Sequence, residues 1–311
     1  MPNNSLIPKI IAILGPTAVG KSKFAVELAK KINAEIISAD SMQVYKYFDI
    51  GTSKPTLREQ KTVNHHLIDI VNPDQEFNAG LYRKRAIPLI KQLSENKKSI
   101  ILVGGTFLYI KVLLSGLIED IPSDHDLRKS IDKLKVKKGI EHLYNKLKEI
   151  DIDSANNIHK NDYIRIQRAL EVYYLTGTKM SELQLHHGFK QEEFNVFKTA
   201  LNIERESLKI TINERVNKMI EDGLVDEVKK VRSLGYGIDL KPMKSIGYKE
   251  INSYLDSEIT LEDAVEMIKR NTRRFAKRQV TWLRSEDNIN WYDIKNEKNK
   301  LLKDCMKFYG L

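Results

Sequence analysis

Gly15-Pro16-Thr17-Ala18-Val19-Gly20-Lys21-Ser22 has the residue types and the spacing of a loop that binds phosphate. An apolar run, Ile10 to Leu14, precedes it, and a helical pattern, Phe24 to Ala29, follows. Strand, glycine loop, helix is the context that G-x-x-x-x-G-K-[ST] requires. The glycines let the backbone turn tightly and approach a ligand. Unpaired N–H groups at the helix start point at an anion, and the helix dipole favours it. Lys21 adds a point charge, and the Ser22 hydroxyl is a candidate Mg²⁺ ligand. The loop specifies a di- or triphosphate and leaves open which bond breaks.

Two further features could do chemistry. Glu35-Ile36-Ile37-Ser38-Ala39-Asp40 reads as a strand ending on a carboxylate. Asp40 suits a general base, and equally a Walker-B-type Mg²⁺ ligand. From Lys269 to Arg284 basic residues occur without an acidic one. On a helix Arg270, Arg273, Arg274, Lys277 and Arg278 share one face, with Phe275, Ala276, Gln279, Val280 and Leu283 on the other. Solvated faces mix both signs, so a one-sign stripe points to a phosphate backbone.

These residues need a scaffold. Strands are expected at 10–14, 35–40, 65–70 and 99–103, with a helical pattern over 79–93 that Pro88 interrupts. Buried strands alternating with helices predict a parallel α/β sheet of the P-loop NTPase-like kind, flanked by helices. Sites in such folds lie beyond the carboxyl ends of the strands, so the phosphate loop, Asp40 and Gly104-Gly105-Thr106 should converge. Ser41 to Pro55 reads as a structured loop. Beyond Pro122 the pattern becomes short helices, with Ser123-Asp124 and Asp151 as caps. The expected organisation is therefore a core of 1–121 and 195–311 with an inserted all-helical domain at 122–194. A strand at 194–201, helices over 208–234 and 261–283 and a last strand at 289–292 complete the core.

The motifs in combination resemble one family, the tRNA dimethylallyltransferases or tRNA isopentenylpyrophosphate transferases. Besides the phosphate loop, the matching stretches are Asp40-Ser41-Met42-Gln43-Val44-Tyr45, Asp49 to Pro55, His65 to Asp69, Val103 to Thr106, Asn161-Asp162 with Arg165 to Val172, Ser245 to Glu250, and Thr272 to Gln279. Phe107 stands where the family usually has a further glycine, and Tyr163 replaces a common proline. The chain ends without the zinc-finger extension of eukaryotic members, which fits the bacterial type.

The resemblance implies transfer of a dimethylallyl group from its diphosphate to the exocyclic amine of the adenosine 3′ of the anticodon. It implies Asp40 as the base and Thr106 as a contact to the reacting groups. The phosphate loop and Arg215 would hold the diphosphate with Mg²⁺. Contacts to the tRNA anticodon arm are implied for Asp40-Ser41-Met42-Gln43, Thr106, Arg128 and Ile164-Arg165-Ile166-Gln167-Arg168. The same is implied for Lys244-Ser245-Ile246-Gly247-Tyr248-Lys249 and for Thr272-Arg273-Arg274-Phe275-Ala276-Lys277-Arg278-Gln279.

Composition bounds this reading. The 311 residues carry a net charge of +10, with a pI near 9.3 and a mean hydropathy of −0.42. That balance favours a polyanionic partner. No apolar run is long enough for a membrane span and no signal peptide is visible, so a cytoplasmic protein, and a monomer, is expected. One cysteine, Cys305, excludes an internal disulfide. His65-His66 are expected to be structural, His186-His187 at the surface, and Trp282 and Trp291 in the core. A P-loop nucleotide or small-molecule kinase is the main rival. It explains Gly15–Ser22 and Asp40 but leaves the basic stripe idle. A non-catalytic RNA-binding P-loop protein is the second.

Overall fold

A computed structural model describes residues 7–116, 121–187 and 193–311. The chain forms two compact units. The first comprises Met1–Leu114 and Glu192–Leu311, and the second Ser115–Gln191. The division thus falls a few residues before the limits expected at both ends of the insertion.

The first half of the larger unit runs β1 (Lys9–Leu14), α1 (Lys21–Ile32), β2 (Ala34–Ala39), α2 (Leu57–Thr62), β3 (His65–His66), α3 (Ala79–Glu95), β4 (Ser99–Gly104) and α4 (Phe107–Ser115). The second unit holds α5 (His125–Ile150), α6 (Ile152–Asn157), α7 (Tyr163–Thr176) and α8 (Met180–His187). The larger unit resumes with β5 (Asn195–Asn202), α9 (Arg205–Glu221), α10 (Leu224–Ser233), α11 (Tyr248–Leu255), α12 (Leu261–Arg284), β6 (Asn290–Asp293) and α13 (Lys298–Tyr309). All strand pairs are parallel, in the order β3-β2-β4-β1-β5-β6. Ile10 to Leu14 are buried on both faces, which is why β1 reads as an unbroken apolar run. Ile13 is level with Val103, and Ala39 with Gly104. The loops after β1, β2 and β4 therefore leave the sheet at one edge.

Several expectations needed correction. The third strand ends after His66 because Leu67 and Asp69 take left-handed backbone angles, φ 61° and 55°. Helix α3 runs through Pro88, its buried face being Tyr82, Ala86, Ile90 and Leu93. Trp291 is exposed on the edge strand β6, whereas Trp282 stacks on Phe107, ring centroids 4.6 Å apart. The side chains of His186 and His187 lie outside the described residues.

Ser41 to Pro55 is tied down by charges from elsewhere in the unit. The Lys54 ammonium is buried and donates to Tyr45 O (2.9 Å), Asp49 Oδ1 (2.6 Å) and Asp69 Oδ1 (2.5 Å). From α10, Glu227 accepts the backbone N–H groups of Asp49, Ile50 and Gly51 and the Tyr248 hydroxyl. Charge-assisted bonds of this kind fix a loop that has almost no secondary structure of its own.

The second unit is all-helical among the described residues. Asp124 and Asp151 cap α5 and α6, accepting from Leu127 N and Ser154 N. Gly139 breaks α5 with φ 83° and ψ 166°, so it is two helical segments in series. Ile131, Leu143, Leu147, Ile166, Ala169 and Leu170 form its core. Glu171 is wholly buried beside that core and accepts from Arg128 Nε (2.8 Å) and Nη2 (3.0 Å), Arg168 Nη1 (2.7 Å) and Asp124 N (2.9 Å). Burial alone would raise its carboxyl pKa, but the hydrogen bonds from the two arginines and the amide outweigh it and hold it below the ordinary range.

Glu171→Gln keeps the shape and removes the charge. The arginines reach solvent, so the expected loss is about 2–3 kcal/mol, at or below the lower end for a broken buried pair. With its folded pKa depressed, wild-type Glu171 contributes stability above the unfolded carboxyl pKa, and that contribution fades as pH falls through the folded value. Urea unfolding of the two proteins should therefore differ at pH 7 and converge as pH falls through the depressed folded value, below the ordinary carboxylate range. A constant difference across that range would contradict the assignment.

Candidate active site

A cavity of about 420 Å³ lies at the carboxyl edge of the sheet. The three strand-end loops line it through Thr17, Lys21 and Ser22, through Asp40 to Gln43, and through Gly104 to Thr106. Helix α9 adds Arg215, Val216 and Met219, and α12 adds Ile268, Thr272, Phe275, Arg278 and Gln279.

One end is cationic. Lys21 Nζ folds back on its own loop, donating to Gly15 O (2.9 Å) and Pro16 O (2.7 Å). Arg215 Nη1 donates to Thr17 Oγ1 (3.0 Å). Burial pulls the Lys21 pKa down to about 7, the nearby Arg215 pushes the same way, and Asp40 opposes. Burial also lowers the Arg215 pKa. Two cations desolvated together favour an anion between them and the loop amides.

The facing end carries the carboxylate. Asp40 Oδ1 accepts from Met42 N (2.8 Å) and Gln43 N (3.3 Å), while Oδ2 has no hydrogen-bond partner among the described residues. Thr106 is tied to the same turn: its Oγ1 accepts from Ser41 N (2.9 Å) and donates to Ser41 Oγ (3.2 Å). Gln43 accepts from Ser38 Oγ and donates to Thr52 O and Ser53 O. Ala25, Ile36, Val103, Val216, Met219, Ile246, Ile268 and Phe275 provide apolar wall in the same cavity. Cationic floor, apolar wall and free carboxylate oxygen suit an anionic leaving group on a small apolar tail, with a proton to be removed nearby.

Among the described residues no group of three or more His, Cys, Asp and Glu is arranged to hold a metal ion. A Mg²⁺ that takes most of its ligands from water and phosphate needs only one or two protein oxygens. The Ser22 hydroxyl and Asp40 Oδ2, both lining the cavity, fit that demand.

The expected tRNA contacts divide. Ser41, Met42, Gln43, Thr106, Lys244, Ser245, Ile246, Gly247, Thr272, Phe275 and Arg278 line the cavity. Arg270, Arg274, Lys277 and Arg278 are exposed, and none has a carboxylate partner among the described residues. Arg273 instead donates to Asn213 Oδ1 (2.6 Å). At 3.6 residues per turn Arg270, Arg274 and Lys277 face away from the cavity, and Arg278 sits at the seam. The stripe is thus narrower than the spacing alone implied. Ile164, Arg165 and Lys249 are exposed. Gln167 donates to Asp132 Oδ1 and the Tyr163 hydroxyl.

The other expected contacts are engaged within the protein. Ile166, Tyr248 and Ala276 are buried in the cores, so their side chains are closed to RNA. Arg128 and Arg168 are committed to Glu171. Gln279 is buried between two loops. Sequence reasoning missed the apolar positions Val216, Met219 and Ile268, whose helical spacing signals only burial. It also missed His65 as lining, its Nδ1 lying 2.8 Å from Val63 O.

A family model described as IPP transferase matches residues 43–286. A tRNA dimethylallyltransferase from Alkaliphilus oremlandii is 47% identical over 96% of this chain and 96% of its own. A second from Geotalea daltonii is 46% identical over 97% of this chain and 92% of its own. Among solved structures, the tRNA isopentenylpyrophosphate transferase of Bacillus halodurans aligns with a TM-score of 0.72 at 40% identity, covering 97% and 96% of the two chains. A eukaryotic dimethylallyltransferase, described as acting on tRNA, aligns with a TM-score of 0.78 at 30% identity, covering 96% of this chain and 78% of that one.

The Lys21 environment makes anion binding pH-dependent. Above pH 7 the amine is mostly neutral in the free protein, and a bound anion favours its charged form. Binding of inorganic diphosphate at pH 8 should take up a proton approaching one equivalent through this lysine, and at pH 6 none. Titration calorimetry in buffers of different ionisation heat measures this, with Lys21→Met subtracting the ligand's own protonation. Equal uptake by both proteins at pH 8 would remove Lys21 from the anion site.

Proposed function

The chain belongs to the IPP transferase family, and from that premise we propose that it is a tRNA dimethylallyltransferase. Its reaction joins the dimethylallyl carbon of dimethylallyl diphosphate to the exocyclic amine of the adenosine 3′ of the anticodon, and releases diphosphate. The observation that carries this reading is the cavity itself. Two half-buried cations stand over a phosphate loop, and a carboxylate with a free oxygen lines the same apolar-walled space.

In this reading the loop amides, Lys21 and Arg215 hold the diphosphate and absorb the charge that grows as the allylic C–O bond breaks. Asp40 Oδ2 takes the proton that the amine loses as the C–N bond forms, while its Oδ1 stays fixed by two backbone donors. Thr106 and Ser41 hold the turn that carries Asp40. Bound Mg²⁺ would supply further charge neutralisation on the diphosphate, with Ser22 as its protein ligand. The adenosine must leave its stack to reach the cavity. Arg270, Arg274 and Lys277, with Ile164 and Arg165 of the helical unit, are the exposed candidates to grip the anticodon arm. No helix among the described residues can cross a membrane, and a tRNA substrate makes the cytoplasm the site of action.

Labelled dimethylallyl diphosphate incubated with bulk unmodified tRNA is the direct test. Label in RNA supports the transferase, and label transfer from ATP to a small acceptor supports a kinase. Asp40→Asn should cut turnover by about 10²–10⁴ with tRNA affinity near normal. Restored turnover at saturating dimethylallyl diphosphate and Mg²⁺ would make Asp40 a metal ligand instead. Replacing Arg274 and Lys277 with Gln should flatten the slope of log affinity for tRNA against log salt by about 1.4–1.8, with diphosphate affinity unmoved. An unchanged slope would make the stripe a solvated face.

A further inference from the structure

Gln279 is 3% exposed, so neither phosphates nor bases reach its amide from solvent. Its two polar atoms are spent on two different loops. The Thr17 N–H donates to Oε1 at 2.7 Å, and Nε2 donates to Gly105 O at 3.0 Å. The partners dictate which end is oxygen, since the reverse orientation would set N–H against N–H and C=O against C=O. Any Cβ at position 105 would run into the amide nitrogen. Gly105 and Gln279 are therefore matched to each other in shape as well as in hydrogen bonding.

The two bonds lead to the two halves of the site. Thr17 accepts from Arg215 at the cationic end. Gly105 precedes Thr106, which holds the Asp40 turn through Ser41. Among the described residues no other side chain hydrogen-bonds both loops. Gln279 also belongs to α12, whose outer face carries Arg270, Arg274 and Lys277.

We propose that Gln279 is a positioning residue for the transfer, its amide setting the distance between the loop that holds the leaving diphosphate and the loop that orients the acceptor. This rests on the transferase reading for the reaction it serves. Transfer requires the reacting atoms aligned at a near-attack separation of about 3–3.5 Å, and a displacement of ~1 Å is worth about 10² in rate. The amide acts on that alignment through the two loops it bonds.

Two variants separate positioning from stability. Gln279→Met keeps the length and loses both bonds. Its kcat should fall about 30–100-fold, with affinities for tRNA and inorganic diphosphate within threefold of wild type. Gln279→Glu keeps the acceptor for Thr17 and sets a carboxylate against the Gly105 carbonyl. Protonation restores a donor there, so its kcat relative to wild type should rise as pH falls from 8 to 5. A residue that merely fills space gives no such pH-dependent rescue. Hydrogen exchange at the Thr17 amide reads the bridge without any turnover, and should accelerate in Gln279→Met and stay slow in Gln279→Glu. Wild-type kcat in the Met variant, or a pH-independent ratio for the Glu variant, overturns the proposal. So does tRNA affinity falling in step with kcat, which would make Gln279 an RNA contact. Absence of prenyl transfer by wild type would instead sink the transferase reading, while Thr17 exchange still reports on the bridge.

Discussion

Two desolvated cations, Lys21 and Arg215, share one cavity with a single nearby carboxylate, Asp40. Burial disfavours the charged form of both, and Arg215 further disfavours that of Lys21. The protein could relieve this by offering more carboxylates, but others in this unit are already engaged. Asp49 and Asp69 hold Lys54. Glu227 is spent on the backbone of Asp49, Ile50 and Gly51 and on Tyr248. Buried Glu250 accepts from Gly247 N and Asn271 Nδ2. The positive charge at the phosphate loop is left for a ligand to complete.

This allocation of charge also makes the acceptor side rigid. Asp40 lies just past the end of β2, where a carboxylate could turn in many directions. One of its oxygens is fixed by Met42 and Gln43 N–H groups, and Thr106 holds Ser41 from the neighbouring loop. The following residues to Pro55 are anchored by Lys54 from within and by Glu227 from α10. The carboxylate proposed as the base thus acquires, on a loop, the precision usually given to one on a helix, through charge-assisted bonds in place of secondary structure.

What was legible in the sequence was what is local. The phosphate loop is recognisable because its glycines, lysine and serine act within eight residues, and the strand that ends on Asp40 is recognisable by its apolar run. Caps at Asp124 and Asp151 are equally short-range. The rest depends on partners distant in sequence. Nothing near His65 announces that Leu67 and Asp69 will turn left-handed, or that a lysine fifteen residues earlier than Asp69 will pair with it. Arg128 and Arg168 look like free cations until α5 and α7 bring Glu171 between them. Helical periodicity sorted α12 into two faces, yet it could not say that Phe275 and Arg278 line a cavity, because periodicity records that a face is covered and not by what. Gln279 on a covered face reads as a misplaced polar residue. Its partners lie 262 and 174 positions away.

Helix α12 is then the element on which binding and chemistry meet. It runs for 24 residues without a break, so its two faces move as one body. Its outer face presents unpaired positive charge of the kind that a phosphate backbone satisfies. Its inner face contributes Ile268, Thr272, Phe275 and Gln279 to the cavity. For a transferase acting on RNA, that arrangement has an energetic consequence. Contacts made far from the reacting atoms accelerate a reaction only when their energy is expressed at those atoms. A stripe on a flexible tail would tighten binding and leave the rate alone. On a rigid helix the same contacts bear on the cavity wall, and through the Gln279 amide on both strand-end loops. In the proposed reaction, grip on the RNA and alignment of the donor and acceptor loops would therefore draw on a single structural element.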